Sequence, residues 1–127
     1  MNTNTNTAPL ESSITKKILK WLNEQPNCYA EKTFGGSYGS AGKPDINGCF
    51  QGKAFQLEVK RPGGKATKLQ KITLSKWREA GAIAEIVTSL DEVKNIIENI
   101  KHTIQTTESY RKRLEEIDIM LDSGNRE

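Results

Sequence analysis

The residues of this chain that can do chemistry lie in two short stretches, Pro44-Asp45 and Glu58-Val59-Lys60. Lys53 to Lys60 alternates apolar and polar residues, so on a strand Phe55, Leu57 and Val59 share one face and Gln56, Glu58 and Lys60 share the other. Asp45 stands at the mouth of a preceding strand candidate, Asp45 to Phe50. Gln51-Gly52 between the two suits an antiparallel hairpin, which sets Asp45 next to Glu58. Two carboxylates a few ångströms apart repel unless one takes a proton or a cation sits between them. A hard divalent ion such as Mg²⁺ suits oxygen ligands and keeps waters that can become nucleophiles, so the pair reads as a metal site with Lys60 beside it. A Glu-x-Lys on a strand is commonplace by itself; the Pro-Asp behind a glycine-rich stretch gives it weight.

Glu11 is a third candidate acid. On a helical wheel it falls within about 60° of Ile14, Ile18 and Leu22, the face expected to be buried. Two readings stand: a carboxylate on that face that needs a metal or a basic partner, or a first-turn acid that favours the positive end of the helix dipole.

The elements that must position these groups follow from periodicity and punctuation. Residues 1–8 are polar and low in complexity and are expected to be disordered. Pro9 to about Glu24 is helical around Ile14, Ile18 and Leu22, and Asn23 to Asn27, with Pro26, closes it. Cys28 to Phe34 reads as a short strand, and the glycine-rich Gly35 to Lys43 as a mobile loop that changes shape when a ligand enters or is simply solvated. After the hairpin, Arg61 to Ala66 turns. Thr67 to Ala80 is then a helix around Leu69, Leu74 and Trp77, ended by Gly81. Ile83 to Thr88 is a buried strand, and Ser89 with Glu92 forms a capping box for a helix striped by Leu90, Val93, Ile97, Ile100 and Ile104. A last helix, Thr107 to about Leu121, carries Tyr110, Leu114, Ile117 and Leu121 in a narrow arc that needs a partner surface. This order fits a small α/β sandwich with a mixed sheet.

Length and composition set bounds. At 127 residues the chain is the size of one ordinary domain. Its 19 Lys and Arg against 16 Asp and Glu give +3, which permits nucleic-acid binding without demonstrating it. Placement says more: Lys16, Lys17 and Lys20 fall together, as do Lys60, Arg61, Lys65, Lys68, Lys71, Lys76 and Arg78, and both groups border the proposed site unless they are ordinary solvated faces. Cys28 and Cys49 have no CxxC spacing and read as reduced, partly buried small residues. No apolar stretch suits a membrane span and the N-terminus does not read as a secretory signal, so a soluble cytoplasmic protein is expected.

Glu11-Ser12, Gly42-Lys43-Pro44-Asp45, Glu58-Val59-Lys60 and Gln70, followed by Gly81 and the strand Ile83 to Thr88, together resemble the virus-type replication-repair nuclease domain, VRR-NUC, of the PD-(D/E)xK nuclease superfamily. The resemblance covers about Leu10 to Ile100. It implies a restriction-endonuclease-like α/β fold, a mixed central sheet flanked by helices, over residues 9–101, with residues 102–127 an added helical extension. It implies that Glu11, Asp45, Glu58 and the Val59 carbonyl bind Mg²⁺ or Mn²⁺, and that Lys60 orients or helps deprotonate the attacking water. Gln70 would support the site from the next helix, although Thr67-x-x-Gln70 is also a capping box. Lys43 is placed to touch a backbone phosphate.

The implied activity is metal-dependent hydrolysis of DNA phosphodiesters, leaving a 5′ phosphate and a 3′ hydroxyl. Small stand-alone members of this family, found largely in bacteriophages, resemble Holliday-junction resolvases and act as homodimers on branched DNA. The rival reading is a DNA-binding protein that keeps the nuclease fold and does not cleave.

Overall fold

The computed structural model describes residues 9–34 and 41–124. Residues 1–8 and positions 35–40 of the glycine-rich loop lie outside them, and with them the readings made of those segments. The elements are α1 (Glu11–Glu24), β1 (Cys28–Lys32), β2 (Ile46–Phe50), β3 (Lys53–Val59), α2 (Lys68–Glu79), β4 (Ile83–Val87) and α3 (Leu90–Gly124). The chain divides into two compact units, one ending at Lys94 and the other beginning at Asn95.

The first unit is built on one four-stranded sheet in the order β1-β2-β3-β4. β1 and β2 are antiparallel, as are β2 and β3, while β3 and β4 run parallel. The β2–β3 hairpin is the one expected: Gln51 and Gly52 both have positive φ, 48° and 84°, the backbone that lets a two-residue turn match the twist of its strands. Parallel strands need a crossover, which α2 supplies.

α1 buries Ile14, Ile18 and Leu22, the stripe its spacing predicts. Thr15 is buried with them, and its hydroxyl donates to the Glu11 carbonyl at 2.8 Å, so no donor is stranded. Phe50, Phe55, Leu57, Val59, Leu74, Ala84 and Val87 complete most of the core.

β3 departs from the alternation its sequence suggests. Phe55 to Val59 are all buried, including Gln56 and Glu58 on the polar face. The strand has hydrogen-bonded neighbours on both edges, and both α1 and α2 pack near it. In such a place the polar side of an alternating strand is enclosed too. α2 is shallower than expected: only Leu74 is buried, and Leu69 and Trp77 are exposed. The helix ends as predicted at Gly81, whose φ of 105° suits glycine.

One helix, α3, replaces the two expected. Nothing between Ile104 and Thr107 can stop a helix, and the hydroxyls of Thr106 and Thr107 donate to the carbonyls of His102 and Thr103 one turn back, at 2.9 Å each. The capping box at its start is displaced by one residue. Ser89 Oγ accepts from Glu92 N at 3.3 Å, but the Glu92 carboxylate reaches Thr88 N and Oγ1, at 2.8 Å each. Within the second unit Ile97 and Ile100 are buried, and Tyr110, Leu114, Ile117 and Leu121 are exposed.

No helix among the described residues is long and apolar enough to cross a membrane. Both cysteines are free; Cys28 is half-buried, whereas Cys49 is exposed rather than partly covered.

Candidate active site

The site is assembled from the end of β3, the entrance to β2 and the first turn of α2. Asp45 immediately precedes β2 and is fixed to β3 by its own side chain: Oδ2 accepts from the Val59 backbone N–H at 2.7 Å. Its carbonyl accepts from Thr33 N at 2.8 Å, tying the same residue to the chain beyond β1. Glu58 is 2 % exposed. Its Oε1 accepts from Gln70 Nε2 at 3.0 Å and lies 3.6 Å from Lys60 Nζ. Its other oxygen, Oε2, is buried with no hydrogen-bond partner.

That orphaned oxygen sets the electrostatics. Burial, and then the neighbouring Asp45 carboxylate, push the Glu58 carboxyl up to about 8, while Lys60 pulls in the opposite direction and loses. At neutral pH and without a cation the pair therefore keeps a proton that two exposed carboxylates would have shed. A divalent ion does the same neutralising job, and the donor set of two carboxylates suits a hard cation. On this test the Asp45 and Glu58 carboxylates fit a hard cation.

Glu11 does not join them. It is exposed in the first turn of α1, and among the described residues no group of three or more His, Cys, Asp or Glu is placed to hold a metal ion. The apolar face of α1 begins one turn later, at Ile14, so a residue at the helix end shares the direction of that face without its cover. Of the two readings the sequence left open for Glu11, its exposure fits the first-turn acid.

Gln70 combines both roles open to it. Its N–H donates to Thr67 Oγ1 at 3.1 Å and its Oε1 accepts from Thr67 N at 2.8 Å, a complete capping box, while its Nε2 still reaches Glu58. The cap that starts α2 thus also aims an amide at the buried acid.

Sequence reasoning missed what holds the loop before Asp45. Gly42 has φ +78°, and a Cβ there would lie 2.6 Å from Leu69 Cγ and 3.2 Å from Thr73 Oγ1. Only glycine fits this approach to α2, and two residues later Pro44 is buried. The signal was present in Gly42-Lys43-Pro44-Asp45, but the partner, Leu69, had been assigned to the core of α2.

The basic residues divide. Lys43, Lys65, Lys68 and Lys71 are exposed and Arg61 is half-buried. Lys68 and Lys71 line a shallow hollow on α2 with Ile72 and Lys76. Lys16 and Lys17, adjacent in sequence, open onto different hollows, one shared with Ser12 and Lys32, the other with Thr88 and Asp91. Lys20 is exposed as well and lies between them on the helix, about 40° from Lys16 and 60° from Lys17.

The fold has relatives. The chain is similar to a solved structure described as a "VRR_NUC domain protein", at a TM-score of 0.58 and 18% identity, covering 77% of this chain and 90% of that one. It is also similar to one described as a "VRR_NUC domain", at 0.52 and 23% identity, covering 69% and 90%. The mixed sheet with its flanking helices is therefore the fold of these two VRR_NUC-domain structures. No family model matches the chain, and no curated protein matches it in sequence.

Proposed function

We propose that the protein is a metal-dependent DNA endonuclease of the small, stand-alone phage type, acting as a homodimer on branched DNA such as a Holliday junction, in the cytoplasm of an infected or prophage-carrying bacterial cell. The observation that carries this reading is the Asp45–Glu58 pair with its buried, unpartnered Glu58 Oε2, next to Lys60 and held by Gln70. Such an acid pair adds nothing to folding unless a proton or a cation is bound there. The pair lies in the Pro-Asp and Glu-Val-Lys stretches of a chain whose fold is similar to a VRR_NUC-domain structure.

Asp45 and Glu58 would hold Mg²⁺ or Mn²⁺, with the Val59 carbonyl a further ligand. When bound, the ion supplies charge against the phosphate oxygens and makes its bound water more acidic. The Asp45 carboxylate is oriented by the Val59 N–H, and Gln70 and Lys60 hold Glu58 by one oxygen, leaving the other as the one that would take the cation. Lys60, 13 % exposed at its side chain and 3.6 Å from Glu58, would orient the attacking water and offset charge on the phosphate. The exposed Lys43, Lys65, Lys68 and Lys71 would track the backbone.

The test is cleavage. With Mg²⁺ or Mn²⁺ the purified chain is expected to cut junction, flap or duplex DNA and to stop in EDTA. A folded, metal-loaded protein that binds DNA and cuts none of these establishes the noncatalytic reading instead.

A further inference from the structure

The polar face of the sheet does not end at the acid pair. β2 and β3 run antiparallel with Ile46 opposite Leu57 and Asn47 opposite Gln56. Carried one residue back from Ile46 and one on from Leu57, that register sets Asp45 opposite Glu58. Side chains alternate faces along a strand, so Asn47 and Gln56 form the next row on the face of the two acids, two residues further into the sheet. Across from Asn47 on β1 stands Glu31.

This second row is not an ordinary wet surface. Gln56 is 5 % exposed and Asn47 is half-buried. Among the described residues neither side-chain amide has a hydrogen-bond partner, and Glu58 Oε2 in the adjoining row lacks one as well. Polar groups in such places are ordinarily satisfied, and leaving one unpaired costs more than an apolar side chain of the same shape. Neighbouring unpaired groups in one patch call for a ligand that serves them together.

Charge narrows what that ligand is. From β1 to β3 the two rows hold three carboxylates, Glu31, Asp45 and Glu58, and no basic side chain; Lys60 lies on the far side of Glu58 from the amides. A phosphate has no counter-charge there. Water on a cation suits the row, because the ion makes it a stronger donor and an amide oxygen accepts from it. With Glu11 outside the ligand set, two carboxylates and one carbonyl leave about half of an octahedral Mg²⁺ shell to water. A group bonded to such a water lies about 5 Å from the ion. Rows two residues apart on a strand are separated by about 6.5–7 Å, which suits contact through water better than direct ligation.

We propose that the amides of Gln56 and Asn47 hold the waters on the inner side of the cation bound by Asp45 and Glu58. This rests on the cation reading above and adds two positioning residues to it. They touch neither the ion nor the DNA, and by fixing part of the ion's shell they leave its remaining positions to the substrate.

Calorimetric titration of Mg²⁺ into the full chain, with denaturant midpoints measured in EDTA, tests the proposal. Gln56→Met, which keeps the length of the side chain without its amide, is expected to weaken Mg²⁺ binding by about 10–100-fold. Its midpoint in EDTA is expected not to fall, because no hydrogen bond is lost. Asn47→Ala is expected to weaken binding by a smaller factor. Cys49→Ser, one row further along the same face, is expected to leave it unchanged. Unchanged Mg²⁺ affinity in Gln56→Met and Asn47→Ala overturns the proposal, as does a loss seen only in variants whose midpoint in EDTA has also fallen. A native chain that binds no Mg²⁺ defeats the cation reading itself, whereas native binding with indifferent variants defeats only the water-holding row.

Discussion

The first unit of this protein encloses polar groups where apolar ones would pack more cheaply, and the second leaves apolar groups in water where polar ones would serve. At β3, Glu58 is 2 % exposed with an oxygen lacking any partner; on α3, Tyr110 and Leu121 are 64% and 62% exposed. Each is a place where local sequence and ordinary folding preference disagree, and such disagreements collect at sites built for a ligand or partner. The two differ in what resolves them. A buried carboxylate pair wants a proton or a small hard cation, whereas an exposed apolar seam wants a surface of matching shape.

The largest effects are expected at the buried site. Lys60→Ala should lower the cleavage rate by about 10²–10⁴-fold while Mn²⁺ still binds, because a protonated lysine is not a ligand. Asp45→Asn should damage both rate and metal affinity. Glu11→Gln should leave metal affinity unchanged, as its exposed position requires. If Lys60→Ala cuts normally, the contrast between the two units loses its functional half.

Packing sharpens the comparison next. Leu57→Ala, at a fully buried position, is expected to cost about 2–5 kcal/mol in chemical denaturation. Leu114→Ala should leave the unfolding of the dilute protein within about 0.5 kcal/mol of unchanged, since its side chain is half in water. Equal losses at both would mean that the stripe packs within its own chain.

The pH dependence of the metal-free protein comes third. The Glu58 carboxyl is raised from 4.5 to about 8 in the folded state, so the folded chain holds more protons than the unfolded one between those values. The stability this contributes is fully present below pH 4.5 and is lost as pH rises through about 8. Glu58→Gln should flatten that slope and stabilise the metal-free protein at pH 8 and above by about 1–3 kcal/mol. Denaturant midpoints across this range, in EDTA, read the difference.

The smallest effect concerns the cap. Gln70→Ala removes half of the capping box and the amide on Glu58 and should lower stability by about 1 kcal/mol. Its effect on the cleavage rate should be smaller than that of Lys60→Ala.

How much of this was legible beforehand follows from the range of each interaction. The β2–β3 hairpin, the strand face shared by Glu58 and Lys60, and the Thr67–Gln70 cap are local, and residue spacing over a few positions specifies them. The burial of Glu58 is not local: it depends on β4 arriving on the far edge of β3 and on α2 reaching across. The sequence pattern alone makes that face look solvated. The exposure of Glu11 was open for a related reason, since a wheel gives direction but not where the cover ends. The break expected near Thr107 rested on a change of stripe, and a change of stripe does not break a helix when the backbone lacks Gly or Pro. Gly42 stood out in its motif, but its partner Leu69 lies 27 residues away, which spacing does not reveal.

The central claim is that Asp45 and Glu58 form a cation site in place of a protonated pair. Isothermal calorimetry of Mn²⁺ or Mg²⁺ into the metal-free protein at pH 7, in two buffers of different ionisation enthalpy, tests it most directly. The account predicts saturable binding that releases close to one proton per chain, and loss of both the binding and the proton in Glu58→Gln. Absence of binding, or binding of equal strength with no proton released in both the native chain and Glu58→Gln, would contradict it.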